Sequence, residues 1–342
     1  MKKRSLVFAA AAAAGVGLSS LAVREILRKR EQIDLRGRVV LITGGSRGLG
    51  LQMAREFGAE GAIVAVCARD RDELDRAVQD LESRGVKAHA FVCDVTDRIQ
   101  VSSLIHRVME QIGAIDVLVN NAGVIKVGPL ADMTFDDFEE AMAVIFWGTL
   151  NASLAVLPFM RERRQGSIVN ITSIGGKVSV PHLLPYSCAK FAATALSEGL
   201  RTELKEYGIR VTTIVPGLMR TGSHLNAEFK GQHSKEYGWF AAGAATPLVS
   251  IDVERAARSI VQATVRGDAE KVLSVPADLA VRLHDAFPEL TALVLEAVNR
   301  FLPSPAGSSR AMRGAEVEPD FGRFWKAMTR TGQKAAEGLN EV

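Results

Sequence analysis

Val39-Val40-Leu41-Ile42-Thr43-Gly44-Gly45-Ser46-Arg47-Gly48-Leu49-Gly50 is the stretch that decides the fold. Residues 39–44 are a short apolar run closing on glycine, without the alternation of a strand that has one wet face. Such a run suits a strand buried on both faces. The glycines that follow predict a tight turn into a helix over about Leu49–Glu60. A turn of this kind lets backbone N–H groups approach a pyrophosphate at the positive end of the helix. A glycine-rich loop alone is a weak signal; its place after a first strand and before a first helix gives it weight.

The same rhythm continues along the chain. Strands are predicted at 62–68, 87–95, 115–123, 166–173 and 209–217, with VLSVP at 272–276 as a candidate seventh. Helical patterns lie between them, near 72–84, 97–112, 135–163 and 186–207. Strict alternation of buried strands and helices argues for an α/β fold, a doubly wound, Rossmann-like parallel sheet over about residues 36–275. Residues 222–250 read as an insertion carrying His224, Phe229, Tyr237, Trp239 and Phe240, a candidate substrate lid. Residues 276–302 read as an apolar-rich helical extension, and residues 303–342 as a polar, mobile tail.

The 342 residues include 42 basic and 39 acidic side chains, a net charge of +3 with no basic stripe to suggest a nucleic-acid partner. Cys67, Cys93 and Cys188 have neither a disulfide framework nor metal-ligand spacing. Residues 1–34 stand apart. Ser5 to Val23 is an uncharged, alanine-rich stretch between Lys2, Lys3, Arg4 and Arg24, Arg28, Lys29, Arg30. It is just long enough to cross a hydrocarbon core of about 30 Å. A retained membrane anchor, a cleaved secretory peptide and a peripheral leader all fit; the anchor is favoured by the length and the basic flanks, with the catalytic domain in the cytoplasm.

The end of the second strand, Cys67-Ala68-Arg69-Asp70, speaks to the cofactor. An acidic residue there would hydrogen-bond the ribose of NAD, whereas arginine accommodates a 2′-phosphate. Arg69, with Arg47 in the turn, therefore favours NADP(H) through guanidinium–phosphate pairing. The other reading is a solvated Arg69 with Asp70 on the ribose.

With TGGSRGLG at 43–50, NNAG at 120–123, Ser173, and Tyr186-Ser187-Cys188-Ala189-Lys190, the chain resembles the short-chain dehydrogenase/reductase family. The motifs stand in the family's order, with thirteen positions from Ser173 to Tyr186, and Pro216-Gly217 with Thr221 also matches. The resemblance implies that Gly44, Ser46, Arg47, Gly48, Leu49, Gly50 and Arg69 hold the cofactor's phosphates, while Asp94 and Val95 flank its adenine. Asn120, Ala122 and Gly123 would line its centre and brace the sheet; Pro216, Gly217, Met219 and Thr221 would hold the nicotinamide end. Ser173 would bond the substrate oxygen, Tyr186 would exchange the proton, and Lys190 would bind the nicotinamide ribose. A homodimer or homotetramer is implied as well. Tyrosine near pKa 10 is a poor base at neutral pH, and a lysine at i+4 with an oxidised nicotinamide is expected to lower it.

One position departs from the family. Ile145 stands where an asparagine usually helps relay protons from the lysine, and isoleucine has no donor or acceptor. Asn151 lies six residues on, about 240° around a helix, and faces elsewhere. Backbone and water could suffice, another residue could serve, or the chain could be a weakened homologue that still binds nucleotide. His182 could contact substrate or be merely solvated, and His224 and His233 have weaker claims. Trp239 and Phe240 either cover the cleft or pack on the core. The leading reading is an NADP(H)-dependent oxidoreductase that interconverts a carbonyl and an alcohol, with a hydrophobic small-molecule substrate. The alternative is a nucleotide-binding regulatory homologue at a membrane.

Overall fold

The computed structural model describes residues 32–246, 250–317 and 336–341. Seven strands form the central parallel sheet: β1 (Val39–Thr43), β2 (Ile63–Ala68), β3 (Ala88–Val92), β4 (Ile115–Asn120), β6 (Gly166–Ile171), β7 (Ile209–Val215) and β11 (Glu270–Val272). Their order is β11-β7-β6-β4-β1-β2-β3. Side chains alternate across β1: Val40 and Ile42 join the core beneath α1 (Gly48–Ala59) and α8 (Val253–Arg266). Val39 and Leu41 face the opposite core, under α3 (Arg98–Gln111) and α5 (Gly148–Arg163). Period-two alternation thus places one apolar run in two cores at once, which is why residues 39–42 carry no polar side chain. Burying each large side chain completely, as for Phe57, Leu104 and Leu118, stabilises the fold by roughly 1.5–3 kcal/mol.

Sequence also fixes where helices begin. Asp70 accepts from the amide of Glu73 and starts α2 (Arg71–Ser83), while Asp97 and Asp252 cap α3 and α8. Each cap satisfies amides that no helical carbonyl reaches and contributes about 1 kcal/mol.

The strand order reverses direction between β1 and β4, which opens a crevice at the carboxyl ends of those strands. Asn120 ends β4 with its side-chain amide donating to Ser153 Oγ at 3.0 Å and Asn170 Oδ1 at 2.8 Å. Asn170 passes the bonding on to Ser197 Oγ at 2.9 Å, and Ser197 shares a 2.7 Å bond with Thr213. This buried polar chain ties β4, β6 and β7 to α6 (Leu184–Leu204). Paired groups of this kind fix register, because slippage would leave several of them unsatisfied.

Some expectations changed. The seventh strand is Glu270–Val272, and Val275, read as part of it, instead begins α9 (Val275–Ala286), capped by Ser274. The helical pattern at 135–163 is α4 (Phe135–Ala141), a π-helical turn over Met142–Trp147, then α5. That combined element is long and apolar enough to cross a membrane, but it packs on β4 and β6 as part of the core. The N-terminal apolar stretch lies outside the described residues. The polar tail is not loose where it is described. Asp132 accepts from the amides of Ala306 and Ser308, β12 (Met312–Arg313) pairs with β9 (Glu228–Phe229), and residues 336–341 dock on the glycine-rich turn. Composition suggested mobility; backbone hydrogen bonds and the buried Val317, Ala336 and Leu339 overrode it.

Candidate active site

The crevice is built from three chain turns. At the first, Gly44 and Gly48 adopt left-handed φ values of 62° and 56°, and a Cβ on Gly50 would collide with the carbonyl of Gly44. Helix α1 therefore starts directly against β1, its first amides aimed into the crevice. Asn121 clamps this turn by donating to the carbonyls of Thr43 at 3.1 Å and Gly44 at 2.9 Å. Thr43 Oγ1 accepts from the amides of Asn121 and Ala122 in return. Sequence reasoning passed over Asn121, although its place inside NNAG was the available signal.

At the second turn, Asp70 is committed to capping α2, so its carboxylate points at Glu73's amide. Arg69 is exposed beside it. Glu73 was not foreseen: it accepts from Ser46 Oγ at 2.9 Å and Arg47 Nη1 at 2.7 Å. Asp94 turns its carboxylate on the backbone and hydroxyl of Thr96, and Val95 is buried, its carbonyl held by Asn151 at 3.0 Å. Asn151 thus faces away from the Ile145 position, as the helical spacing predicted.

The third turn carries the chemistry. Ser173 leaves β6 in an extended conformation and its Oγ accepts from Gly175 at 3.0 Å. Tyr186 on α6 stands beside Ser173, its ring against Gly175, where a Cβ would lie 3.1 Å from Cε1 and 3.5 Å from Ser173 Oγ. Lys190, one turn further along α6, is buried with Nζ 5.6 Å from the Tyr186 ring centroid and donating to the carbonyl of Ile171 at 2.8 Å. Burial lowers the Lys190 pKa to about 8. Burial also raises that of Tyr186, outweighing the opposite pull of Ser173. Burial thus favours the neutral phenol.

Gly123 faces both Lys190 Nζ and the Ile145 side chain, at 3.9 and 3.8 Å from the position a Cβ would take. Ile145 is buried in the π-helical turn and packs with Ala141, Ala189 and Ala193. Its carbonyl accepts from Thr149 Oγ1 at 2.7 Å. No polar side chain is supplied at this position, so the structure leaves Lys190 with a backbone carbonyl as its hydrogen-bond partner.

Pro216, Gly217, Met219 and Thr221 follow β7, with Met219 in β8 (Leu218–Arg220) and Thr221 buried. Beyond them α7 (His233–Ala245) crosses the site. His182 is neither solvated nor free to meet substrate. It is buried at φ 62°, and Nδ1 lies 2.9 Å from Glu236, a fully buried carboxylate that also accepts from Trp239 at 2.6 Å. This three-residue clamp holds α7 to the loop preceding Tyr186. Phe240 packs edge-to-face against Phe229 and Trp239, so the aromatic side chains form a small core of their own. His224 is buried and pushed down to about 4 by desolvation, and His233 bonds the carbonyl of Arg310. Among the described residues no cluster could hold a metal ion.

A glycine-rich turn at the switch point of a doubly wound sheet, facing a serine, a tyrosine and a lysine, defines a nucleotide-dependent oxidoreductase. Residues 38–230 match the short chain dehydrogenase family, and the chain belongs to it. It is 34% identical over 272 residues to a dehydrogenase/reductase SDR family protein 7-like of Anopheles gambiae, covering 76% of this chain and 83% of that one. Identity to the dehydrogenase/reductase SDR family member 7B of Mus musculus is 36% over 216 residues, 62% of this chain and 67% of the relative. Among solved structures, a short-chain dehydrogenase from Streptomyces avermitilis superposes with a TM-score of 0.67 at 31% identity, over 77% of this chain and 98% of its own. An actinorhodin polyketide ketoreductase solved with NADPH superposes with a TM-score of 0.60 at 29% identity, over 70% and 95% of the two chains.

Linkage makes the Lys190 environment measurable. The folded chain loses this proton near pH 8, the unfolded chain near 10.5. Between those values unfolding takes up a proton, so the stability contributed at Lys190 rises with pH across that window. Lys190→Met removes the rise. In urea titrations between about pH 7.5 and 9.5, wild type is expected to gain stability relative to the variant. A difference that stays flat would show that burial does not penalise the ammonium.

Proposed function

We propose that the chain is an NADP(H)-dependent oxidoreductase that reduces a carbonyl to an alcohol, or runs the reverse, on a hydrophobic small molecule. One observation carries this reading: Ser173 and Tyr186 stand side by side against Gly175, with Lys190 one helical turn beyond, opening on the same crevice as the glycine-rich turn. The residues present fit a dinucleotide. The amide of Gly48 already donates to a carbonyl acceptor at 2.9 Å, and a Cβ there would stand 2.5 Å from a carboxylate oxygen, so the turn receives electronegative groups as a pyrophosphate site must. A reduced nicotinamide, when bound, supplies hydride. Ser173 would hold the substrate oxygen, and Tyr186, kept neutral by burial, would give it the phenolic proton. Lys190 would bind the cofactor's ribose and shuttle the replacement proton, with the Ile171 carbonyl orienting its ammonium.

Two features support NADP(H). Asp70 is spent on the α2 cap, which leaves Arg69 as the charged group at the end of β2. Solved neighbours include complexes with NADP and NADPH. The alternative, a weakly active nucleotide-binding homologue, draws on the apolar Ile145.

One steady-state assay with NADPH, NADH and a panel of ketones tests the reading. Tyr186→Phe is expected to lower turnover by about two to four orders of magnitude, since it removes the proton donor. Arg69→Ala is expected to raise KM for NADPH while leaving that for NADH nearly unchanged, because only the phosphate contact is lost. Equal turnover in wild type and Tyr186→Phe across the panel would sink the enzyme reading.

Membrane association is proposed on two grounds. Ser5 to Val23 has the length and flanks of an anchor. Helices α9 and α10 (Pro288–Asn299) expose Val275, Leu279, Leu290, Leu293 and Val294, with Phe301 90% exposed just beyond. So much apolar surface on one extension suits a lipid face. The full chain is expected to float with anionic liposomes at high salt; recovery wholly in the aqueous fraction would contradict this.

A further inference from the structure

The C-terminal residues 336–341 lie across the glycine-rich turn, and their contacts are specific. The carbonyl of Leu339 accepts from the amide of Gly48 at 2.9 Å, the helix-starting amide that faces the crevice. Glu341 carries a carboxylate with only 5% of its side chain exposed, one oxygen 3.7 Å from Arg47 Nε. The position a Gly48 Cβ would take is 2.5 Å from the other oxygen. Asn340, in the left-handed conformation that asparagine tolerates, donates to the carbonyls of Ser46 and Glu73, each at 2.9 Å, and accepts from Arg76 at 2.7 Å. Arg55 reaches the carbonyl of Gly338 at 2.8 Å. On the lid side, Asn226 donates to the Glu341 carboxylate at 2.6 Å, and Ala336 packs on Gly222.

These partners are groups a dinucleotide needs. The Gly48 amide and the positive end of α1 suit a pyrophosphate, and Arg47 suits a 2′-phosphate. A buried carboxylate and a backbone carbonyl stand there instead, presenting the same acceptor chemistry. We propose that residues 336–341 are an intramolecular occupant of the dinucleotide site, with the Leu339 carbonyl and the Glu341 carboxylate in the place of phosphate oxygens, so that the tail must leave before cofactor binds. The proposal rests on the glycine-rich turn being the cofactor site.

The tail also bridges parts that must move separately during turnover. It joins the phosphate turn to Gly222 and Asn226 at the start of the lid. Its release therefore loosens the lid as it opens the phosphate site, which couples cofactor entry to access for substrate. The docked state is poised to be left: Glu341 is held among Arg47, Glu73 and Asn226, and burial pushes its pKa up to about 7 against the pull of Arg47. A dinucleotide brings more charge to the same arginine.

Binding of NADPH to the full chain, to a chain ending at residue 335, and to the double variant Asn340→Ala/Glu341→Ala tests the proposal, read by cofactor fluorescence. The double variant keeps the test valid should the shortened chain fold poorly. An occupied site weakens apparent affinity by the fraction of molecules that are open. Both altered chains are expected to bind NADPH at least about tenfold more tightly than the full chain, with kcat unchanged. The synthetic peptide Ala-Glu-Gly-Leu-Asn-Glu-Val, residues 336–342, is expected to compete with NADPH on the shortened chain. Equal or weaker binding by both altered chains overturns the occlusion and leaves the oxidoreductase reading standing. No binding of NADPH or NADH by any of the three overturns both.

Discussion

Everything at the site hangs from the stitch between the ends of β1 and β4. The side-chain amide of Asn121 holds the carbonyls of Thr43 and Gly44, and the hydroxyl of Thr43 holds the amides of Asn121 and Ala122. These strands are neighbours at the point where the sheet's order reverses and the crevice opens. Without the stitch the glycine-rich turn would be free to rotate away from Gly123. Lys190 and Ile145 would then face an undefined wall.

Burial dominates the chemistry inside that crevice. It raises Tyr186 and lowers Lys190, so both groups tend toward their neutral forms. The apolar Ile145 contributes to this dryness where a polar group would have admitted water. Dry surroundings strengthen every remaining hydrogen bond, including that from Lys190 to the Ile171 carbonyl.

Much of this was legible in the sequence because it rests on local rules. The apolar run at 39–44 followed by glycines gave β1, the turn and α1, and residues 173, 186 and 190 meet because their spacing sits on one strand end and one helix face. What was not legible depends on contacts far apart in the chain. Glu73 reaches back 27 positions to Ser46, and Glu236 reaches 54 positions to His182. The seventh strand was misplaced because Val272, Leu273 and Val275 read as one apolar run before Pro276, and proline at a second helical position opens α9 as readily as it ends a strand. The tail misled most. Its polar composition has no apolar face to betray docking, yet Leu339 and Ala336 bury themselves and the remaining contacts are backbone and amide hydrogen bonds.

The account's central claim is that a nicotinamide dinucleotide lies between the glycine-rich turn and the end of β4. Hydrogen exchange of the full chain with and without saturating NADPH reads this directly, since bound phosphates would protect the amides they accept from. Slower exchange is predicted at residues 44–50, Gly48 excepted because its amide is already bonded to the Leu339 carbonyl, and at 120–123, while β3, remote from the crevice, stays unchanged. Unaltered exchange at the glycine-rich turn, with NADPH bound and protection appearing elsewhere, would contradict it.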